Sequence, residues 1–337
     1  MKWARWLLSL ITLGVAFYLF WPFLADLRTA ADLYKSLHWV WLLLPIGIQA
    51  ISYSFLTWLN LLSLQPFPGE VDFLRMAGSL TAIAFIETAI PSAGVSGVAL
   101  RAHLLGKHGQ YKIEASIFSL FLETVFISLA MSSVGFLGLI YLVRRGELVL
   151  AAVIRLIILG IGLAMLLWGV WHILKDEKRT LWLAQKGFET WNWLVRRVPL
   201  LRRIPQPLPE SVETTVLQFH SSVDKIHNQP VWKFILAAYG RVFSDVATLG
   251  SCFFIFGYPS QLGTLLTGYG MILLLSGLAG LPGGILVADV SVPVIFTKLG
   301  APGAVSLAAG LLYRLISFWL LRFIGFVNWQ ILEVKSR

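Results

Sequence analysis

Long apolar runs constrain this chain more than any other feature of its sequence. Several runs carry about 20 mainly apolar residues, the length that an α-helix needs to cross a bilayer. Of the 337 residues, 57% are hydrophobic and only 13% are charged, whereas a soluble domain has about 25% charged residues. The sequence therefore predicts an all-α polytopic membrane protein, with residues 1–337 forming a single integral membrane domain.

Six runs are predicted to be full spans, and two further apolar regions each contain a break. The predicted spans are Trp6–Leu24, His38–Leu64, Ile113–Val143, Leu148–Leu174, Trp232–Phe256 and Ala304–Leu332. A signal peptide is the alternative for the first run, but no clear small-residue cleavage site precedes Asp26. Residues 175–230 are predicted to form a cytoplasmic amphipathic and linker region, whose apolar stripes lie on lipid or pack on protein.

The first break lies between Glu87 and Arg101, inside apolar sequence. Pro91 removes a backbone N–H group, and Gly94 and Gly97 permit backbone angles that other residues avoid. Broken backbone at membrane depth is tolerated only where protein or a water-filled cavity covers it. This stretch is therefore predicted to line a cavity, as the tip of a re-entrant hairpin over residues 73–105.

A second break, at Pro282, Gly283 and Gly284, is followed by Asp289 and predicts a second hairpin over residues 262–299. Interrupted segments in both halves of a chain are typical of a transport site at the midplane, between inverted repeats. We expect the two breaks to approach each other around one shared cavity. The alternative is a kink within each of two ordinary spans, with glycines that serve close helix packing.

Ionisable residues inside the apolar runs are the next guide, because each costs roughly 2.5–3.5 kcal/mol to insert and so needs a partner or a role. The candidates are Glu87, Arg101, Glu123, Arg155, Arg241, Asp245, Asp289, Arg314 and Arg322. Arg241 and Asp245 are four residues apart, so they are predicted to pair on one helix face. Arg155 and Arg322 are predicted to extend to an interface.

The other five charges are predicted to belong to the cavity or its walls. Glu87 and Arg101 flank the first break, where they either close the hairpin as a salt bridge or contact a substrate. Glu123 and Arg314 lie deep in long spans and are predicted to face the bundle interior. Asp289 follows the second break, where it either caps a helix or belongs to the site.

The basic residues orient the predicted spans. The densest basic cluster lies at residues 175–203, which belongs in the cytoplasm. Counting spans from there places both termini in the cytoplasm and makes the two hairpins enter from opposite sides. The net charge of +10 is then explained by orientation and by anionic lipid head groups, so no nucleic-acid partner is predicted.

Motifs of catalysis and metal binding are absent from the sequence. It contains no His-Glu-x-x-His, Gly-x-Ser-x-Gly or phosphate-loop motif, and its six histidines have no ligand spacing. Cys252 is the only cysteine, which rules out an intramolecular disulfide and a cysteine-based metal site. No enzyme activity and no cofactor are therefore predicted.

Three segments resemble signatures of the lysylphosphatidylglycerol synthase transmembrane family. They are Ile90–Leu105, Leu281–Asp289 and Leu311–Leu320, and they stand in the family's order along nearly the whole chain. This chain has Ile285, Leu286 and Val287 where members often have Gly-Leu-Gly-Val. It also has Asp289 where members often have Glu.

The resemblance implies a flippase-like membrane domain. The chain ends at Arg337, soon after its last span, so the aminoacyl transfer of larger relatives is not expected. The predicted function is movement of an anionic phospholipid or polyprenyl-phosphate-linked head group across the plasma (inner) membrane. The alternative is a scaffold for a separate lipid-modifying enzyme docked on residues 175–203. The predicted substrate-binding residues are Glu87, Pro91, Gly94, Gly97, Arg101, Glu123, Pro282, Gly283, Gly284, Asp289 and Arg314.

Overall fold

The computed structural model describes residues 26–89, 95–144, 176–179, 230–279 and 287–334, together with isolated residues between 161 and 217. These parts of the chain are helical and contain no strand. The α-helices are α1 Leu27–Lys35, α2 Leu43–Leu64, α3 Phe73–Ala89, α4 Val95–Gly109, α5 Ile113–Arg144, α6 Val231–Ile255, α7 Leu262–Ala279, α8 Val287–Lys298, α9 Gly303–Arg314 and α10 Leu321–Val334. A 3₁₀ turn, Trp39–Leu42, precedes α2, and a π-helical turn, Leu315–Leu320, joins α9 to α10.

Three of the described helical stretches are long and apolar enough to cross a membrane. They are Trp39–Leu64 with 26 residues, Ile113–Arg144 with 32 and Gly303–Leu332 with 30, which matches three of the predicted spans. Helix α6 matches a fourth in position. The first predicted span and nearly all of Leu148–Leu174 lie outside the described residues, so the count of six stays a prediction.

Helices α3 and α4 form an antiparallel hairpin. Near its open end, the backbone N–H of Glu70 donates to the carbonyl oxygen of Gly109 at 3.2 Å. Further in, Leu80 and Leu105 share one buried cluster, and Ile83 and Leu104 share another. The hairpin form was predicted from the break between Glu87 and Arg101, of which residues 90–94 lie outside the described part, whereas Gly97 lies within α4. Its re-entrant placement in the bilayer stays a prediction.

Helices α7 and α8 form a second hairpin. A β-carbon added at Gly268 would overlap the ring of Phe296, so the glycine allows the two helices to approach closely. At the open end, the Tyr258 hydroxyl donates to the carbonyl oxygen of Gly300 at 3.3 Å. The described boundaries leave residues 280–286 between the helices, where the second break was predicted.

The order of elements is the same in the two halves: a helix, a hairpin and another long helix. Helices α2 and α6, which begin the two sets, pack antiparallel. Trp41 meets Phe254 near one end, with ring centroids 6.3 Å apart, while Ser52 Oγ lies 2.9 Å from the Arg241 carbonyl oxygen further along. The open ends of the hairpins follow the C-terminal ends of α2 and α6. They therefore lie at opposite ends of the molecule, as an inverted repeat requires.

Each half also completes the other. Hairpin helix α3 packs along α10, where Asn328 Nδ2 donates to Thr81 Oγ1 at 2.9 Å. Correspondingly, hairpin helix α7 packs along α5, where Thr267 Oγ1 donates to the Gly138 carbonyl oxygen at 2.7 Å. The free thiol of Cys252 is fully buried in the main core, on helix α6.

Candidate functional site

A buried ion pair joins the first hairpin to the long helix that follows it. Arg101 Nη2 on α4 donates to Glu123 Oε2 on α5 at 2.5 Å, and these side chains are only 4% and 20% exposed. Asn60 Nδ2 on α2 donates to the same carboxylate oxygen at 3.0 Å. Ser119 Oγ in turn donates to Asn60 Oδ1 at 2.8 Å. Three helices therefore fix the position of the Glu123 carboxylate.

The same arginine has unused hydrogen-bonding capacity. Its Nη1 is buried and has no hydrogen-bond partner among the described residues. Guanidinium nitrogens are donors only, so such an atom lacks an acceptor rather than a donor. A buried donor without a partner costs about 1–3 kcal/mol, and more when charged. An anionic ligand would remove that cost.

Glu87 lies beside this pair without joining it. Among the described residues it makes no ion pair, and its side chain is exposed. A β-carbon added at Gly97 would overlap the Glu87 carboxylate, so Gly97 leaves the space that this carboxylate occupies. The alternative of an ion pair between Glu87 and Arg101 is wrong, because Arg101 pairs with Glu123.

A second ion pair holds the second hairpin in the same way, with the charges exchanged. Arg314 Nε on α9 donates to Asp289 Oδ1 in the first turn of α8 at 2.6 Å. The Arg314 side chain is 10% exposed and the Asp289 side chain 26%. Arg314 Nη2 is buried without a hydrogen-bond partner among the described residues. The prediction that Glu123 and Arg314 face the interior is confirmed.

A third arginine comes close to Arg314 through the π-helical turn. The Cζ atoms of Arg314 and Arg322 lie 4.3 Å and 4.0 Å from the centroid of the Phe318 ring. Arg322 Nε donates to Thr88 Oγ1 on α3 at 3.3 Å. The prediction that Arg322 extends to an interface is wrong, because the guanidinium is held between Phe318 and the first hairpin.

These groups belong to one charged region that both halves contribute to. Arg322 donates to the hydroxyl of Thr88, the residue that follows Glu87 on α3. The Phe318 ring lies against the guanidinium groups of both Arg322 and Arg314. The residues beside the two predicted breaks are thereby linked through Arg322, which the sequence had not placed in the site. We name this set the charged site: Glu87, Arg101, Glu123, Asp289, Arg314 and Arg322.

A third ion pair lies on α6, between Arg241 and Asp245, as the spacing predicted. Residues of α2 and α7 satisfy the carboxylate: Gln49 Nε2 donates at 3.1 Å, Ser52 Oγ at 3.0 Å and the Tyr269 hydroxyl at 3.3 Å. This carboxylate accepts several hydrogen bonds from side chains that are themselves buried. The arrangement fits a structural ion pair that ties α2, α6 and α7 together.

Five of the predicted substrate-binding residues lie outside the described residues, as does Arg155. The five are Pro91, Gly94, Pro282, Gly283 and Gly284. Their roles, and the contact between the two breaks, stay predictions. Among the described residues, no group of three His, Cys, Asp or Glu side chains is placed to hold a metal ion.

Comparison with known proteins identifies the family of this chain. No curated protein matches the chain. The sequence model of the lysylphosphatidylglycerol synthase transmembrane region matches residues 6–325, which is nearly the entire length. This family is a membrane domain related to lipid handling, and the long apolar helices of the structure agree with membrane integration. The chain belongs to the family of lysylphosphatidylglycerol synthase transmembrane regions.

Proposed function

We propose that this protein is a flippase-type transporter that moves a phosphate-bearing lipid between the leaflets of the plasma (inner) membrane. The substrate is an anionic phospholipid or a polyprenyl-phosphate-linked head group. The observation that carries the proposal is a pair of buried guanidinium nitrogens, Arg101 Nη1 and Arg314 Nη2, which have no acceptor within the described part of the chain. They lie in different halves of a bundle whose hairpins open at opposite ends.

A lipid phosphate has the chemistry that this site lacks. Its charge prevents unaided passage through hydrocarbon, because the phosphate would lose its water. Arginine presents planar donors that match phosphate oxygens, often two at a time. Arg101 and Arg314 each keep a carboxylate partner, which offsets the cost of an unoccupied site. Glu87, exposed beside Arg101, balances the site or binds a cationic group of the head.

The test is lipid movement in vesicles. The protein is reconstituted into phosphatidylcholine vesicles that contain fluorescent phosphatidylglycerol, and a membrane-impermeant reagent quenches the outer leaflet. We expect protein-dependent movement that Arg101→Gln and Arg314→Gln each slow about tenfold or more, since a charged hydrogen bond contributes about 1.5–3 kcal/mol. A polyprenyl-phosphate probe is tested in the same way.

Arg75→Gln is the matched control, because Arg75 forms an exposed ion pair with Asp72 in which its side chain is 61% exposed. Its rate should equal that of the unmodified protein. Identical rates with and without protein, for both classes of lipid, would remove the proposal. A scaffold that docks a separate lipid-modifying enzyme on residues 175–203 stays a prediction, because most of that region lies outside the described residues.

A further inference from the structure

We propose that the groove between α2 and the π-helical turn is the lateral seat of the transported lipid, with an acyl chain in the groove and the phosphate on Arg322. The groove has a volume of about 420 Å³. Its walls include Leu42, Ile46, Leu312, Leu315, Trp319 and Phe323. This inference rests on the proposed function and adds where the lipid enters the charged site.

The groove leads to the charged site instead of ending at the surface. The groove wall residue Trp319 packs edge-on against the Phe318 ring, with ring centroids 5.2 Å apart. The Cζ atom of Arg322 lies 4.0 Å from the centroid of the same Phe318 ring. The groove wall and the Arg322 guanidinium are therefore connected through one aromatic ring.

Arg322 is suited to bind an anion that arrives along this path. It makes no ion pair with any described residue, although it is partly buried in a membrane-spanning segment. Its contacts are the Phe318 ring and the Thr88 hydroxyl. Arg314 lies over the same ring, and its buried Nη2 has no hydrogen-bond partner in the described ranges. Two guanidinium groups that share one ring repel each other, and a phosphate near them would reduce that repulsion.

The combination of groove and charge identifies the occupant. Leu315, Trp319 and Phe323 are 56%, 49% and 65% exposed, so the groove is open along its length to the surrounding medium. π-Helical turns occur often at functional sites, and this turn contributes both groove residues and Phe318. A molecule with an apolar chain attached to a phosphate satisfies both features at once. In a bilayer, that molecule is a lipid.

The experiment maps where a lipid tail lies. The full chain is reconstituted into phosphatidylcholine vesicles that contain phosphatidylglycerol with a photoreactive group on one acyl chain, and labelled peptides are identified by mass spectrometry. We expect strong labelling of residues 312–323 and of the segment that contains Leu42 and Ile46. Arg322→Gln should lower it about tenfold, whereas Arg322→Lys should retain part of it. Ile46→Trp should block labelling by filling the groove.

Phe136 and Leu137 provide the internal control, because they are apolar, 42% and 46% exposed, and lie on α5. Their labelling reports ordinary lipid contact and should not respond to Arg322→Gln. Groove labelling no stronger than at these positions would overturn the inference. So would a groove occupied by residues 6–24 of this chain, detected as cysteine crosslinks to position 319. Lipid movement that persists without groove labelling refutes this seat alone, and groove labelling without lipid movement refutes the transport function.

Discussion

Each of the two ion pairs of the charged site joins an arginine to a carboxylate, but the helices that carry the two groups are exchanged between the halves. In the first half, the hairpin helix carries the guanidinium of Arg101 and the following helix the carboxylate of Glu123. In the second half, the hairpin helix carries Asp289 and the following helix Arg314. Each pair thus joins a hairpin to its neighbour. The loss of one partner leaves a charge buried at membrane depth, which is more costly than loss of both.

This asymmetry predicts the stability of three variants. Glu123→Leu leaves Arg101, which is 4% exposed, without its carboxylate and should lower the free energy of unfolding by about 3–5 kcal/mol. Adding Arg101→Met should restore most of that loss. Asp72→Ala breaks an exposed pair with Arg75 and should cost less than about 1 kcal/mol. Denaturant unfolding in detergent micelles measures all three. A double variant no more stable than Glu123→Leu would contradict this reasoning.

For individual residues, the sequence predicted which charged side chains face the interior better than it predicted which residues they pair with. Insertion cost alone indicated that Glu123 and Arg314 face the interior, and a separation of four residues paired Arg241 with Asp245. It did not pair Arg101 with Glu123, because that choice depends on where α4 packs against α5. Arg322 was predicted to extend to an interface because a long arginine side chain can reach one from within a span. The available signal was Phe318, four residues earlier, where an aromatic ring shares its helix face.

Helices α5 and α7 make a close backbone contact at a pair of glycines. A β-carbon added at Gly270 would lie 2.7 Å from the Gly135 Cα atom. That neighbour is backbone, so the strain cannot be relieved by a side-chain rotation. Small residues allow such approach between helices in membranes, where packing replaces the hydrophobic drive between helices. This contact also fixes α7, and with it the second hairpin, against the first half.

We therefore expect Gly270→Ala to destabilise the protein by about 1–3 kcal/mol, the usual cost of overpacking. Gly47→Ala is the control, because a β-carbon there has no atom within 4 Å. Alanine at that helical position should be neutral or stabilising by up to about 1 kcal/mol. Thermal unfolding of both variants in the same detergent makes the comparison. Equal midpoints for Gly270→Ala and the unmodified protein would show that α5 and α7 separate without cost.

The boundaries of the helices were largely predictable from the breaks between apolar runs in the sequence. Helix α3 was expected to end near Pro91 and ends at Ala89, and α6 was expected at 232–256 and forms at Val231–Ile255. The π-helical turn was not predicted. Leu315–Leu320 contains neither glycine nor proline, so local sequence has no break there. The turn places the Phe318 ring against two guanidinium groups.

In the whole molecule, each hairpin packs on a helix of the other half: the first hairpin packs on the last helix, and the second hairpin packs on α5. No repeat of residues is visible in the sequence, so this arrangement could be suggested only by the two breaks and by charge counting. Pairing between halves depends on contacts far apart in the chain, which a local pattern does not contain. The antiparallel contact of α2 with α6 shows how the two halves are oriented relative to each other.

Because the two hairpins open at opposite ends of the molecule, residues near their open ends should be accessible from opposite sides of the membrane. Lys112→Cys, near the mouth of the first hairpin, should react with a membrane-impermeant thiol reagent only from the cytoplasmic side. Pro259→Cys, between α6 and α7, should react only from the other side. Both positions are exposed, and Cys252→Ala provides the background. Labelling of intact cells compared with inverted membrane vesicles separates the two sides. Reaction of both positions from one side would contradict the inverted arrangement.

The buried thiol of Cys252 has a practical consequence for every stability comparison above. It is the chain's one cysteine and is fully buried in the core. A maleimide dye that fluoresces on reaction cannot reach it until α6 leaves its neighbours, since reaction requires an accessible thiolate. The native cysteine can therefore be used to follow thermal unfolding. The temperature at which fluorescence rises reports the opening of the main core around α6, without any introduced probe.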